Sequence, residues 1–148
     1  MITVIVYGLD QFVVGRLSRE LGANLAKLYE VNEDEVIFVA PQDLVFHNGV
    51  EQTSWNLLIH VHAPKRAALV QDEVAEFLIR AIGDLAIHKT VEFYYYSEEN
   101  RYQKIHDDYP RFITDDNLVD TDQEYDEDME EGEEDDQIYT GDIFEGLK

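Results

Sequence analysis

Two strand–helix–strand units in tandem, an α+β fold with a four-stranded main sheet and both helices on one face, are what this 148-residue sequence predicts. Three observations predict it. Trp55 to Ser97 reads as a strand (WNLLIHVHA), a Pro-started helix (PKRAALVQDEVAEFLIRAI) and an aromatic strand (TVEFYYYS). The first forty residues repeat that order as TVIVYG, LDQFVVGRLSRELGANLAKLYE and EVIFVAP. Composition then changes abruptly near residue 112, which sets a folded domain over residues 1–112 against an acidic tail over 113–148.

In chain order, Ile2 to Tyr7 is the first strand. Ile2, Val4 and Val6 lie on one face, with Thr3, Ile5 and Tyr7 on the other. Asp10 is placed to cap the following helix by accepting its orphan N–H groups. Val14, Leu17, Leu21, Leu25 and Leu28 make one apolar stripe on a helix ending near Tyr29. A second strand runs from Glu35 to Ala40 and stops at Pro41. Asn48-Gly49, between two short β-prone runs, predicts a small hairpin with a type I′ turn. The third main strand, Asn56 to His62, puts Leu57, Ile59 and Val61 opposite Leu58, His60 and His62. Pro64 opens the second helix, whose stripe is Val70, Val74, Phe77, Ala81 and Leu85, broadened by Leu78 and Ile82. After a turn at His88-Lys89, the last strand sets Val91, Phe93 and Tyr95 against Glu92, Tyr94 and Tyr96.

Right-handed crossovers put both helices on one side of such a sheet. The strands are nonetheless apolar on both faces, with Ile5, Ile37, Val39, Leu58, Tyr94 and Tyr96 left over. A patch of that extent is larger than a soluble monomer usually exposes, so the sequence predicts a homo-oligomer in which sheets cover one another. The plainer alternative is that the segment after Ser97 folds back over the sheet. Residues 98–113 carry Tyr102, Ile105, Tyr109 and Phe112, enough to pack along an edge.

The net charge is −22, unevenly spread: residues 112–148 hold 16 of the 33 acidic residues against the single cation Lys148. A run that acidic repels itself and cannot bury enough to offset its ordering entropy, so the tail reads as disordered. Nucleic-acid binding is excluded because its affinity comes from cations replacing phosphate counterions. A basic protein or a multivalent cation is the better charged partner. There is no cysteine, hence no disulfide, thiolate nucleophile or cysteine metal site. No basic segment precedes the first apolar run and no stretch is long enough for a membrane span, so a soluble, cytoplasmic protein is the expectation. No phosphate-loop, dinucleotide, serine-hydrolase or zincin pattern occurs, and no cofactor is expected. An EF-hand loop started at Asp126 fails, with Glu131 where glycine is needed and Gln137 where glutamate is needed.

The βαββαβ order with two similar halves, a strand starting at residue 2 and a doubly apolar sheet resembles the tautomerase superfamily, whose best-known member is macrophage migration inhibitory factor. Within it, WNLLIHVHAPKRAALVQDEVAEFLIRAI followed by TVEFYYYSEENRYQ is similar to a small bacterial family of unknown function with that fold. The similarity spans about residues 1–104. It implies a trimer whose sheets form a barrel, with pockets between subunits at the start of the first strand. The superfamily's base is an N-terminal proline. Here position 1 is Met1, and Ile2 is too bulky for the usual removal of the initiator residue. A primary α-amine in a model peptide has a pKa of about 7.7 to 8.0, so Met1 would be only a weak substitute and tautomerase activity is not expected.

Several residues are candidates for a site. Met1, Lys65, Arg66, Tyr94, Tyr95 and Tyr96 are the candidates for an inter-subunit pocket; Lys65 and Arg66 would hold an anion beside helix N-terminal amides, and one tyrosine would line the pocket. The plainer readings are solvated cations and cross-strand aromatic packing. His60 and His62 leave one strand face together and form a weak metal pair that lacks a defined third ligand; otherwise they are polar groups on an interface. In the tail, Ile138, Tyr139, Ile143 and Phe144 alternate with acid, as in a short motif that docks in a basic, apolar groove.

Two functions follow. One is an uncharacterised oligomer of tautomerase-like fold without the proline base, binding a small ligand between subunits. The alternative is an interaction module with a ferredoxin-like core that acts through its acidic tail.

Overall fold

The structure, a computed structural model, describes residues 1–117. Residues 1–103 form one compact unit, and a second begins at Lys104. In the first unit the order is β1 (Ile2–Tyr7), α1 (Gln11–Leu28), β2 (Val36–Val39), β3 (Phe46–His47), β4 (Val50–Glu51), β5 (Asn56–Pro64), α2 (Gln71–Ile82) and β6 (His88–Tyr96). The main sheet has the order β2-β1-β5-β6. Each βαβ unit pairs its own strands in parallel, β1 with β2 and β5 with β6, and the units join antiparallel through β1 and β5. The α+β class expected from the repeat is the class observed.

Alternation in the strands decides which face the helices cover. Ile2, Val4, Val6, Leu57, Ile59, Val61 and Ala63 are buried in one cluster with Val14, Leu17, Leu21 and Leu25 of α1 and Val74, Leu78 and Ile82 of α2. Register completes this face with Val36, Phe38, Val91, Phe93 and Tyr95. The opposite set, Thr3, Ile5, Tyr7, Ile37, Leu58, His60, His62 and Tyr96, is only half-buried, and Val39, Thr90, Glu92 and Tyr94 are exposed.

Local chemistry starts and stops these elements. The Asp10 carboxylate accepts the Phe12 N–H at 2.8 Å, which caps α1 as its position predicts. Gly8 closes β1 at φ +91°, and a Cβ there would sit 2.9 Å from the Asn56 carbonyl oxygen, so only glycine fits. Asn48 and Gly49 both have positive φ, 47° and 77°, and turn β3 into β4 as the dipeptide predicts.

The boundaries expected from periodicity shift in four places. Glu35 belongs to a 3₁₀ turn (Glu33–Glu35), so β2 is four residues long. Pro64 is still extended, at ψ 152°, and pairs with Tyr96; Lys65–Val70 then form a 3₁₀ segment and α2 starts only at Gln71. With that start, the row Val74, Leu78 and Ile82 faces the sheet squarely while Phe77 and Ala81 flank it. The expected turn at His88-Lys89 is already ladder: the His88 N–H donates to the Trp55 carbonyl at 2.9 Å. The reversal comes earlier, at Gly83–Leu85, where the Lys89 ammonium donates to the carbonyls of Gly83 (2.7 Å) and Ala86 (2.9 Å).

The described residues of the second unit, 104–117, contain no helix or strand. Its local order is an edge-on contact of the His106 and Tyr109 rings, and Asn117, whose side chain accepts from the Thr114 N–H at 2.7 Å and donates to the Phe112 carbonyl at 3.1 Å. Tyr102 of the first unit and Ile105, Tyr109 and Phe112 of the second are all exposed. Among the described residues no helix is long and apolar enough to cross a membrane.

Candidate functional site

Register brings one end of the sheet together. Ile2 pairs with Val36, so Met1 arrives beside Glu35; Thr3 pairs with His62, and Pro64 with Tyr96, so Met1 also arrives beside the end of β6. The Met1 ammonium lies 2.9 Å from the Glu35 carboxylate and 3.4 Å from the Tyr96 hydroxyl, which itself donates to the Met1 carbonyl at 2.7 Å. Just past β6 a 3₁₀ turn (Glu98–Asn100) returns Arg101, whose guanidinium lies 3.3 Å from the Met1 sulfur. Met1, Pro64, Tyr96, Glu98 and Arg101 line a recess of about 200 Å³.

The recess carries one cation more than it has carboxylates. Arg66 Nε donates to the Glu98 carboxylate at 2.9 Å, and Glu35 faces the ammonium, so two cations are already matched. Arg101 meets a thioether there, a weak acceptor that an incoming oxyanion would displace readily. Burial pushes the Tyr96 phenol above its ordinary value, with Arg101 opposing that shift and Glu35 and Glu98 adding to it. Tyr96 is therefore a neutral hydroxyl at physiological pH, able to donate but unfit as a base.

The other expected pocket residues disperse. Tyr95 lies on the helix-covered face, where its hydroxyl donates to Gln71 at 2.8 Å, and burial followed by the charge of Asp72 raises its phenol. Lys65 is exposed and does not line the recess. Tyr94 stands on the bare face between the two histidines, with ring centroids 4.9 Å from both His60 and His62. Its hydroxyl donates to Glu92 at 2.8 Å, and that bond is the main reason its phenol is raised. The same carboxylate oxygen lies 3.2 Å from His60 Nε2. Among the described residues no three His, Cys, Asp or Glu are arranged to hold a metal ion, so no third ligand joins His60 and His62. Ile138, Tyr139, Ile143 and Phe144 lie outside the described residues.

Sequence reasoning missed Glu35, Glu98 and Arg101. A parallel register of β1 with β2 would have pointed to Glu35. Nothing in the pattern marked Arg101, because it follows the last strand in a segment without periodicity. A second recess, of about 410 Å³, lies where β1 and β2 end and is lined by Asp10, Asp43 and Glu51 among others.

No protein-family model matches this chain, and no curated protein does either. Solved structures match its fold. A domain of unknown function (DUF1904) from Sebaldella termitidis superposes with a TM-score of 0.63 at 20% identity, over 70% of this chain and 95% of that one. A macrophage migration inhibitory factor homologue from Prochlorococcus marinus gives 0.55 at 16% identity, over 70% and 94%. A member of the cis-3-chloroacrylic acid dehalogenase family gives 0.57 at 17% identity, over 68% and 79%. The fold is that of the tautomerase and macrophage migration inhibitory factor-like superfamily.

Proposed function

We propose that this protein is a homo-oligomer of tautomerase fold, a trimer, that binds a small carboxylate in the recess at Met1, Tyr96 and Arg101 and does not catalyse proline-based tautomerisation. The observation that carries the reading is the distribution of acid. The chain has a net charge of −22, so copies of it repel one another overall. The bare face of the sheet is cleared of acid except for Glu92, and offers Ile5, Ile37, Val39, Leu58 and Tyr94 instead. Its occupant is another copy of this chain. Covering that face would enclose the recess end of the sheet, where the Arg101 guanidinium offers paired N–H donors to a carboxylate.

Light scattering on the full chain at micromolar concentration should give three times the monomer mass; a monomer sinks the assembly. Calorimetry with phenylpyruvate should show binding that Arg101→Ala abolishes, without enol–keto turnover. Turnover would overturn the assignment as a binder. The second reading rests on the 16 acidic residues gathered in the last 37 positions, which suit a basic protein partner. A monomer that a basic polypeptide binds only through that segment would favour it.

A further inference from the structure

The bare face carries one charge whose compensation depends on pH. Glu92 is half exposed, and one of its oxygens both accepts the Tyr94 hydroxyl and lies 3.2 Å from His60 Nε2. The His60 side chain is 19% exposed, and its Nε2 lacks an aligned hydrogen bond, so the approach to Glu92 becomes an ion pair only when the imidazole is protonated. Among the described residues, the neighbouring strands bring no Lys or Arg to it. From β1 the neighbour is the Tyr7 ring, edge-on to His60 at 5.0 Å; β2 contributes Ile37 and Val39; β5 adds His62, stacked on Tyr94; β6 adds Thr90, Tyr94 and Tyr96.

We propose that protonation of His60 beside Glu92 controls self-association through this face, with assembly favoured near pH 6 over pH 8. The inference rests on the assembly reading above and adds its regulation. With His60 neutral, each copy brings an uncompensated carboxylate to a surface that loses its water. With His60 protonated, each copy brings a neutral pair. Assembly then takes up protons, so by linkage it strengthens as pH falls through the histidine range and weakens as pH rises through it.

The test is a dilution series of the full chain followed by light scattering at about pH 6 and about pH 8 at one ionic strength, on either side of an ordinary histidine. The dissociation midpoint of the wild type should lie several-fold lower at the acid pH, since each proton taken up changes the assembly constant by up to about tenfold per pH unit. Glu92→Gln should assemble equally at both, and as tightly at the higher pH as the wild type at the lower. His60→Gln should lose the pH dependence while remaining weak at both, and circular dichroism verifies that both variants fold. An oligomer with equal midpoints overturns this inference alone. So does a shift that survives in Glu92→Gln, because it would come from the general acidity of the chain. Absence of any oligomer at either pH overturns the assembly reading beneath it.

Discussion

The two faces of the sheet come from the same strands and differ in what covers them. On one face, Ile2, Leu57, Ile59 and Leu78 of α2 are essentially inaccessible, and their burial needs nothing beyond the chain itself. On the other, side chains of nearly equal hydrophobicity stay half-buried, interrupted by His60, His62 and Glu92. Apolar patterning makes a strand; the helix layer decides which alternate set becomes core. The second set stays half-open to water, and it is the surface on which the proposed assembly rests.

Substitutions separate the two. Leu78→Ala on the covered face should cost about 2 to 5 kcal/mol in urea unfolding, at any protein concentration, because it leaves a cavity in a packed core. Ile5→Asp on the bare face should shift the mass to monomer while lowering the stability of the monomer by about 1 kcal/mol or less, since the site is already half open to water. If Ile5→Asp leaves the mass unchanged, the faces do not differ in the way described. At the recess, Tyr96→Phe should cost about 1 kcal/mol through loss of the bond to the Met1 carbonyl, and should weaken carboxylate binding measured by calorimetry.

The smallest effect concerns Tyr29, at the end of α1, whose hydroxyl is buried with no hydrogen-bond partner. Burial raises its phenol strongly, with Tyr95 adding to the shift. The folded state therefore holds that proton more tightly than the unfolded chain does. Its contribution is fully present below the ordinary phenol value of about 10 and is lost as pH climbs beyond it. Tyr29→Phe should be neutral or stabilising by a few tenths of a kcal/mol near neutrality, and should flatten the fall in stability above about pH 10, read by urea midpoints against pH. A marked loss of stability near neutrality would mean the hydroxyl has a partner after all.

Much of this architecture was legible in the residues alone. Period-two and period-3.6 patterning placed the four main strands and both helices, Asp10 announced its cap, and Asn48-Gly49 announced its turn, because each of these depends on neighbours within a few positions. The start of α2 was not legible, since Pro64 suits both the last residue of a strand and the first turn of a helix, and only pairing with Tyr96 chooses between them. The recess was legible in part. Met1 and Tyr96 were named, and Arg66 reaches the recess only through Glu98, but three adjacent tyrosines cannot be told apart from composition. Alternation sends Tyr95 to the helices, Tyr94 to the open face and Tyr96 to the sheet end. The sequence by itself determined the elements, their faces and the excess of apolar surface, because these follow from local geometry and burial. Which residues meet at Met1, and the meeting of Glu92 with His60, was decided only by strand register, a long-range choice made by the packing of the whole sheet.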